Sequence, residues 1–556
     1  MGRSAVSEGA EILQRKTGKR HAEINDNKDV TASKEIPEMN HPASKGVVAS
    51  KRLPTRKGIP SKFQKFMFVL SNIRFIIECL ICNALVLMIA PYVFPVIMVY
   101  FILKKIEQYV EHWRYRATPV GGEDALWLQD SETNRLIITS IVFVNRPGDM
   151  KTAMSEFREV VRTRLVDSRN SKGELSFPRA RKMVRPGYFQ YFFQDDPDFD
   201  IEDHVFKYQG DPPKSKQELE AIVSEMYSKP FPEGKSPWYF CCVPTDYGDK
   251  SVAAIFRMHH CMADGVSLSR LLTRVLPDHY TPQKEARKFS SSERGLMTAK
   301  GFFIMTRTVI ALLMSFADRS IVHGKDLKGK KKCVWSEPFD LNIVKQIKSK
   351  TGTTVNDVLM ACLSLAIRRY FQKRGINNPE DFTSSIPVDV GKPTKETVFQ
   401  NKFAVVFMKL PVSHNGILET LFETKRRMDV LKMSGEPIAM AYSMAMSTEF
   451  LPEFLVKPLA SFIASKASCV LSNVPGPQYH MSVSGNPVQA LTFWPPQRSN
   501  IGIGLSIFSY AGQVVVGADG DHEIMSDPEL VTVLFGEVLQ EMALHVLGTK
   551  IQQPVY

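Results

Sequence analysis

Two adjacent histidines, an aspartate and a glycine fall within seven residues, His259-His260-Cys261-Met262-Ala263-Asp264-Gly265, inside the stretch FRMHHCMADGVSL. A neutral alcohol is a poor nucleophile, so a reaction at a hydroxyl, acyl transfer from a thioester among them, needs a group that takes the proton. Imidazole, with an unperturbed pKa of about 6.5, is the side chain best suited to take it and give it back near neutrality. One imidazole suffices if it is held in one rotamer and tautomer. His260 stands four residues before Asp264, and a turn brings that carboxylate beneath the loop. There it either orients the ring or clamps the loop through a basic partner, and the clamp is the expected arrangement. Gly265 is expected to let the backbone turn sharply into the next element. His259 points away from His260 if strand geometry persists, because successive side chains alternate, and it is expected to be structural.

The elements that must hold this loop follow from hydrophobic period. Residues 251–258 read as a strand ending at the histidines, and Leu268, Leu271, Leu272, Val275 and Leu276 recur at helical spacing after them. The loop therefore joins a strand to a helix. Upstream, VGGEDALWLQDSETNRLIITSIVFV passes from a turn through a helix-like 123–128 into a strand at 136–144, and FDIEDHVFKY and SPWYFCCVP are strand-bearing. These make a first lobe over 117–280. Residues 281–335 are poorer in pattern and predict a crossover linker, with 302–316 as an amphipathic or membrane-touching helix. A second lobe over 336–548 opens on TTVNDVLMACLSLAIRRYF, whose Val355, Leu359, Cys362, Leu363, Ala366 and Tyr370 share a helix face. Strands are expected at 403–410, 501–508 and 514–518, and a closing helix over 528–546.

A chain of 556 residues exceeds what one core usually serves, which fits two lobes with appendages. The 34 phenylalanines and 24 methionines suit a wide apolar interior or a lipid-facing surface. A net charge of +13 suits nucleic acid, an anionic membrane face or a polyanionic cosubstrate such as coenzyme A; with no zinc-finger or RNA-binding motif, nucleic acid is set aside. Residues 1–62 are polar and without period, a disordered basic arm. From 79 to 103 the chain reads CLICNALVLMIAPYVFPVIMVYFIL without a charge, enough to cross a bilayer core, so 63–105 predicts a membrane anchor. Pro91 and Pro95 near its middle favour a kinked span or a re-entrant hairpin. The 8 cysteines are scattered, with Cys79 and Cys82 the one CxxC; they read as buried thiols in a reducing, cytosol-facing environment, and no metal site is expected.

HHxxxDG is the signature of the coenzyme A-dependent acyltransferase superfamily, and more of the chain resembles its wax ester synthase/diacylglycerol acyltransferase branch. GGEDALWLQD resembles that branch's opening segment and DPDFDIEDHV its Phe-Asp…His-Val element; Asn356-Asp357 matches its Asn-Asp motif, and LSNVPGP its Ser472 to Pro477 signature, with Pro475 and Gly476 inside it. The resemblance covers roughly 117–548. It implies an α/β fold of two chloramphenicol-acetyltransferase-like lobes, each a mixed sheet with helices, and a tunnel between them with His260 at its middle. It also implies transfer of a long acyl chain from acyl-CoA, a cosubstrate rather than a cofactor, to diacylglycerol or a fatty alcohol at the endoplasmic reticulum membrane. The alternatives are a small soluble alcohol, or a non-catalytic lipid-binding protein that kept the fold. His260 would be the general base, with Asn356, Asp357, Asn473, Pro475 and Gly476 on the substrate side. Asn473 would serve as oxyanion donor, shape the tunnel, or be a turn residue. Two departures stand out: Gly391, followed by Lys392, where the family tends to place an arginine that would pair with the loop aspartate, and Ser236-Pro237-Trp238 in place of Pro-Leu-Trp.

Overall fold

The computed structural model describes residues 62–146, 148–245, 252–282, 290–391 and 397–548, so the expected arm lies outside the described residues except at its last position. The strands that carry the two lobes are β1 (Ile137–Val144), β2 (Val205–Lys207), β3 (Trp238–Pro244), β4 (Val252–His259), β5 (Lys331–Trp335), β6 (Phe382–Asp389), β7 (Phe403–Leu410), β8 (Cys469–Pro475), β9 (Asn486–Trp494), β10 (Ile503–Tyr510) and β11 (Gln513–Asp521). The first lobe is a 6-stranded sheet in which Ser482–Val483 is followed by β9, β1, β4, β3 and β2. The second is a 7-stranded sheet in the order β7, β6, β8, β10, β11, β5, with Phe339–Asp340 also paired to β11. β1, IITSIVFV, is buried along nearly its whole length, as a strand covered on both faces should be.

Three strands cross the lobe boundaries drawn from sequence, the short Ser482–Val483 of the first sheet among them. β9 lies in the second-lobe range but pairs antiparallel with β1 in the first sheet, and β5 lies in the linker range but pairs with β11 in the second. Hydrophobic alternation fixes which face of a strand is buried, not which sheet receives it.

The helices used below are α1 (Lys62–Tyr115), α2 (Gly122–Ala125), α3 (Gly265–Arg270), α4 (Ser291–Met314), α5 (Val355–Lys373), α6 (Glu436–Phe450) and α7 (Glu453–Ala464). α5 is closed at its start by a reciprocal cap between Thr354 and Asp357 and is buried along most of its length. α1 runs 54 residues with Pro91 and Pro95 inside it, so one continuous helix replaces the expected hairpin, and it extends ten residues past the expected end at 105. Its uncharged stretch is docked at both ends. Cys79 is buried against Ile304 and Ala439, and Asn83 donates to the Phe303 carbonyl at 2.9 Å. At the other end Lys104 donates to the carbonyls of Thr448 and Glu449 at 3.2 and 2.9 Å, and the Tyr100 hydroxyl donates to that of Phe189 at 3.0 Å. Between these points Leu87, Tyr92 and Val96 are exposed. Among the described residues, Val69–Tyr115, Ser292–Met314 and Glu529–Leu547 are helices long and apolar enough to cross a membrane, though the last is more than half buried.

Candidate active site

β4 ends on His259, and the next residue, His260, is fixed by its amide, which donates to the Leu136 carbonyl at 2.8 Å. Its ring stacks on Trp127, centroids 4.0 Å apart and planes 21° from parallel, with Phe403 of β7 at 5.2 Å. Nδ1 lies 3.0 Å from Asn401 Oδ1. The Asn401 amide nitrogen donates to Asp124 Oδ1 at 2.8 Å and to the His260 carbonyl at 2.7 Å, so the oxygen is the end left for the ring. An oxygen only accepts, hence Nδ1 carries the hydrogen and the lone pair stands on Nε2. Asp124 is held in turn by Arg179, at 2.6 Å from Oδ2, which also donates to the Met262 carbonyl at 2.9 Å. Burial pushes the His260 pKa down to about 3, and the ring is therefore neutral at physiological pH.

Trp127 sits on a short turn, Leu126–Leu128, that follows α2. Arg498 braces this turn by donating to the Leu126 carbonyl at 3.1 Å and to Gln129 Oε1. Burial lowers the Arg498 pKa to about 10, which leaves it a cation at neutral pH.

The other three loop residues divide as follows. His259 turns away from His260, as alternation requires: its Nε2 lies 3.3 Å from Asp130 and its Nδ1 accepts the Cys261 amide at 3.3 Å, and its own amide donates to the Pro237 carbonyl at 2.9 Å. Asp264 does clamp the loop, but its partners among the described residues are backbone amides and the Ser267 hydroxyl, not the basic side chain expected. One carboxylate oxygen caps α3 through the Ser267 amide at 2.7 Å, and the other accepts the Lys402 amide at 2.9 Å, tying the loop to the segment that carries Asn401. Buried amides satisfy a carboxylate without a second charge to desolvate. Burial raises the Asp264 pKa. Gly265 corrects its expectation too: it is absent from the positive-φ residues, and a side chain there would meet nothing within 4 Å. It borders the cavity, so a bare position there keeps space open beside His260.

That cavity, about 550 Å³, lies where the lobes meet and is walled by His260 and Trp127 of the first lobe, by β7 and β8 of the second, and by α6 and α7. Asn473 and Pro475 of β8, and Gly476 just after it, line it. Asn473 Nδ2 donates to Asn356 Oδ1 at 2.6 Å, which brings the two expected asparagines together. Asp357, fully buried, is spent on the α5 cap and faces no substrate space. Gly476 is demanded by close approach, since a Cβ would sit 2.4 Å from the Ser509 carbonyl oxygen. Gly391 donates to Asp389 Oδ1 at 2.8 Å, and Lys392 lies outside the described residues. In the altered Ser236-Pro237-Trp238 element, Trp238 is buried and its indole N–H donates to Ala180 at 2.8 Å.

Sequence reasoning passed over Asn401, Arg179 and Arg498, and quoted Asp124 and Trp127 in GGEDALWLQD without a role. The phrase FQNKF around Asn401, three polar residues between aromatics at the start of a strand, was the local signal on offer. All eight cysteines are free, and no group of three or more metal-ligating side chains occurs among the described residues.

Residues 121–319 match the wax ester synthase/diacylglycerol acyltransferase catalytic domain and residues 399–543 the WS/DGAT C-terminal domain. The chain is similar to a probable diacylglycerol O-acyltransferase of Mycobacterium tuberculosis, 21% identical over 60% of this chain and 77% of the relative. It is also similar to wax ester synthase/diacylglycerol acyltransferase 2 of Arabidopsis thaliana, 25% identical over 62% and 80% respectively. Among solved structures, the wax ester synthase/diacylglycerol acyltransferase of Marinobacter aquaeolei VT8 superposes with a TM-score of 0.56 at 18% identity, over 77% of this chain and 100% of that one. A trichothecene 15-O-acetyltransferase of Fusarium sporotrichioides follows at 0.52 and 13%, over 77% and 95%, which shows the shared fold. With the HHxxxDG loop seated between two lobes of that fold, the chain belongs to the wax ester synthase/diacylglycerol acyltransferase family.

Proposed function

We propose that this protein transfers a long acyl group from acyl-coenzyme A to the hydroxyl of a lipid alcohol, diacylglycerol or a fatty alcohol, to form triacylglycerol or a wax ester. The observation that carries this reading is a tautomer-fixed His260, its Nε2 free, in the wall of a cavity lined mainly by apolar side chains. In the reaction, Nε2 takes the hydroxyl proton while the alcohol oxygen bonds to the thioester carbonyl carbon. The tetrahedral intermediate then collapses, the C–S bond breaks, and the departing thiolate receives the proton back from Nε2. Nothing is consumed besides alcohol and thioester, so acyl-CoA serves as cosubstrate and no cofactor is required. Asn473 keeps one Nδ2 hydrogen beyond that given to Asn356 and is the proposed oxyanion donor, a role worth about 3 kcal/mol.

The bilayer is the proposed partner of α1, whose exposed residues are overwhelmingly apolar, and the endoplasmic reticulum is the proposed membrane, its cytosolic face agreeing with free cysteines throughout. The names carried by the bacterial and plant relatives support the reaction class. The test follows labelled acyl-CoA into neutral lipid, with wild type and His260→Ala in purified membranes, and reads free thiol in parallel. Ester formation unchanged by the substitution would remove His260 as the base. Competition between a long-chain alcohol and diacylglycerol in one assay separates wax from triacylglycerol synthesis.

A further inference from the structure

α6 and α7 are apolar on two sides. On α7, Val456, Leu459, Ala460 and Ile463 form a stripe at spacings of three and four that lines the cavity, while Phe454, Leu455 and Phe462 on the other stripe are exposed, Phe454 by 74%. On α6 the same division separates Met440 and Met444, which line the cavity, from Tyr442 and Met446, which are exposed. Charged side chains in these two helices are confined to Glu436, Glu449, Glu453 and Lys457. A helix with one face to water carries polar residues there; these carry aromatic and aliphatic ones, as a partition between two apolar spaces would.

The outer surface continues onto α1 and α4. Phe302 of α4 rests on Tyr442, ring centroids 4.4 Å apart, and Phe101 of α1 rests on Phe450 at 5.7 Å. The docking points of α1, Cys79 and Lys104, are about 37 Å apart along its axis at 1.5 Å per residue. A helix pinned to the catalytic body at both ends of its uncharged stretch lies along that body, so its free face and the outer faces of α4, α6 and α7 meet the same surroundings. Pro458 lies inside α7, where its ring removes one backbone hydrogen bond and leaves a point at which the helix can bend.

We infer that α1 lies in one bilayer leaflet alongside the catalytic body and that the lipid alcohol enters the cavity sideways from that leaflet, between α6 and α7. The occupant of this seam is an uncharged long-chain alcohol of the diacylglycerol class, which never crosses water on its way to His260. The inference rests on the acyltransferase reading for its substrate and on the two-sided helices for its route.

Two measurements on the full chain in phosphatidylcholine vesicles test it. In the first, a variant carrying Phe454→Asp and Phe462→Asp is compared with wild type for acylation of dioleoylglycerol in the bilayer and of butan-1-ol in water, with one acyl-CoA. The ratio of the two rates is expected to fall at least tenfold in the variant, and an unchanged ratio overturns the route. In the second, a diazirine-bearing diacylglycerol in the vesicles is photolysed with the wild-type protein and the labelled peptides are identified. Label concentrated in 438–464 is expected; label absent from that segment overturns the route without any appeal to turnover. If label falls there but no alcohol elicits thiol release, the acyltransferase reading fails while the lipid entrance stands.

Discussion

The cavity has two unlike sides. Around His260 nearly every polar atom has a partner at a fixed distance, in a line from Arg179 through Asp124 and Asn401 to the ring. Across from it, α6 and α7 offer methionines, alanines and the aliphatic Val456, Leu459 and Ile463, with serines bonded only to their own helix backbone. The difference follows from what each must handle. A proton moves between two atoms only when they are placed within a few tenths of an ångström, and buried hydrogen bonds supply that placement. Acyl chains vary in length and bend, and unbranched or small side chains yield to them at little cost.

The contrast is broken most severely at His260. Replacement by alanine is expected to lower kcat by roughly 10²–10⁴, the usual worth of a positioned base, with KM for acyl-CoA little changed. Asn401→Ala comes next: it frees the tautomer and strips Asp124 of a donor, and a loss of about tenfold to a hundredfold in kcat is expected with wild-type folding by circular dichroism. Asn401→Asp sharpens the same point through pH. Because burial pushes the His260 pKa to about 3, the wild-type ring stays unprotonated down through weakly acidic pH, and kcat/KM should hold level where an ordinary imidazole, pKa about 6.5, would already have lost half its base form. A carboxylate beside Nδ1 favours the protonated ring, so the acid limb of the variant's profile should move upward. Asp264→Ala removes a helix cap and the amide clamp on Lys402, and a fall in stability of about 1–2 kcal/mol, read as a lower denaturation midpoint, is expected. On the opposite wall Met444→Leu, a volume-conserving change, should cost less than about 1.5 kcal/mol and alter turnover only slightly.

How much of this could be read from sequence differs between the same two sides. The strand ending at His259, the helix after Gly265 and the outward turn of His259 follow from periods of two and 3.6 residues, which are local. The pairing of Asn356 with Asn473 was approached through motifs that each read plainly. Asn401 reaches His260 across 141 residues, and no local period encodes such a meeting. Composition announced α1 as membrane-seeking but was silent on its docking to Ile304 and Thr448, because docking depends on what the partner surface offers. The role imagined for Gly265, a sharp turn, failed since the Asp264 cap already starts the helix without unusual backbone angles.

The placement of β9 bears on how the polypeptide is made. β1 gains its outer neighbour only from Asn486–Trp494, so during synthesis the first sheet must wait, one hydrophobic edge open, until the ribosome has delivered a strand that lies more than 340 residues further along the chain. An uncovered strand reading IITSIVFV is an invitation to sticky pairing with other nascent chains. Premature stop codons upstream of position 486 should therefore yield insoluble product instead of a working half-enzyme, and the newborn protein has reason to engage chaperones until its last strands arrive.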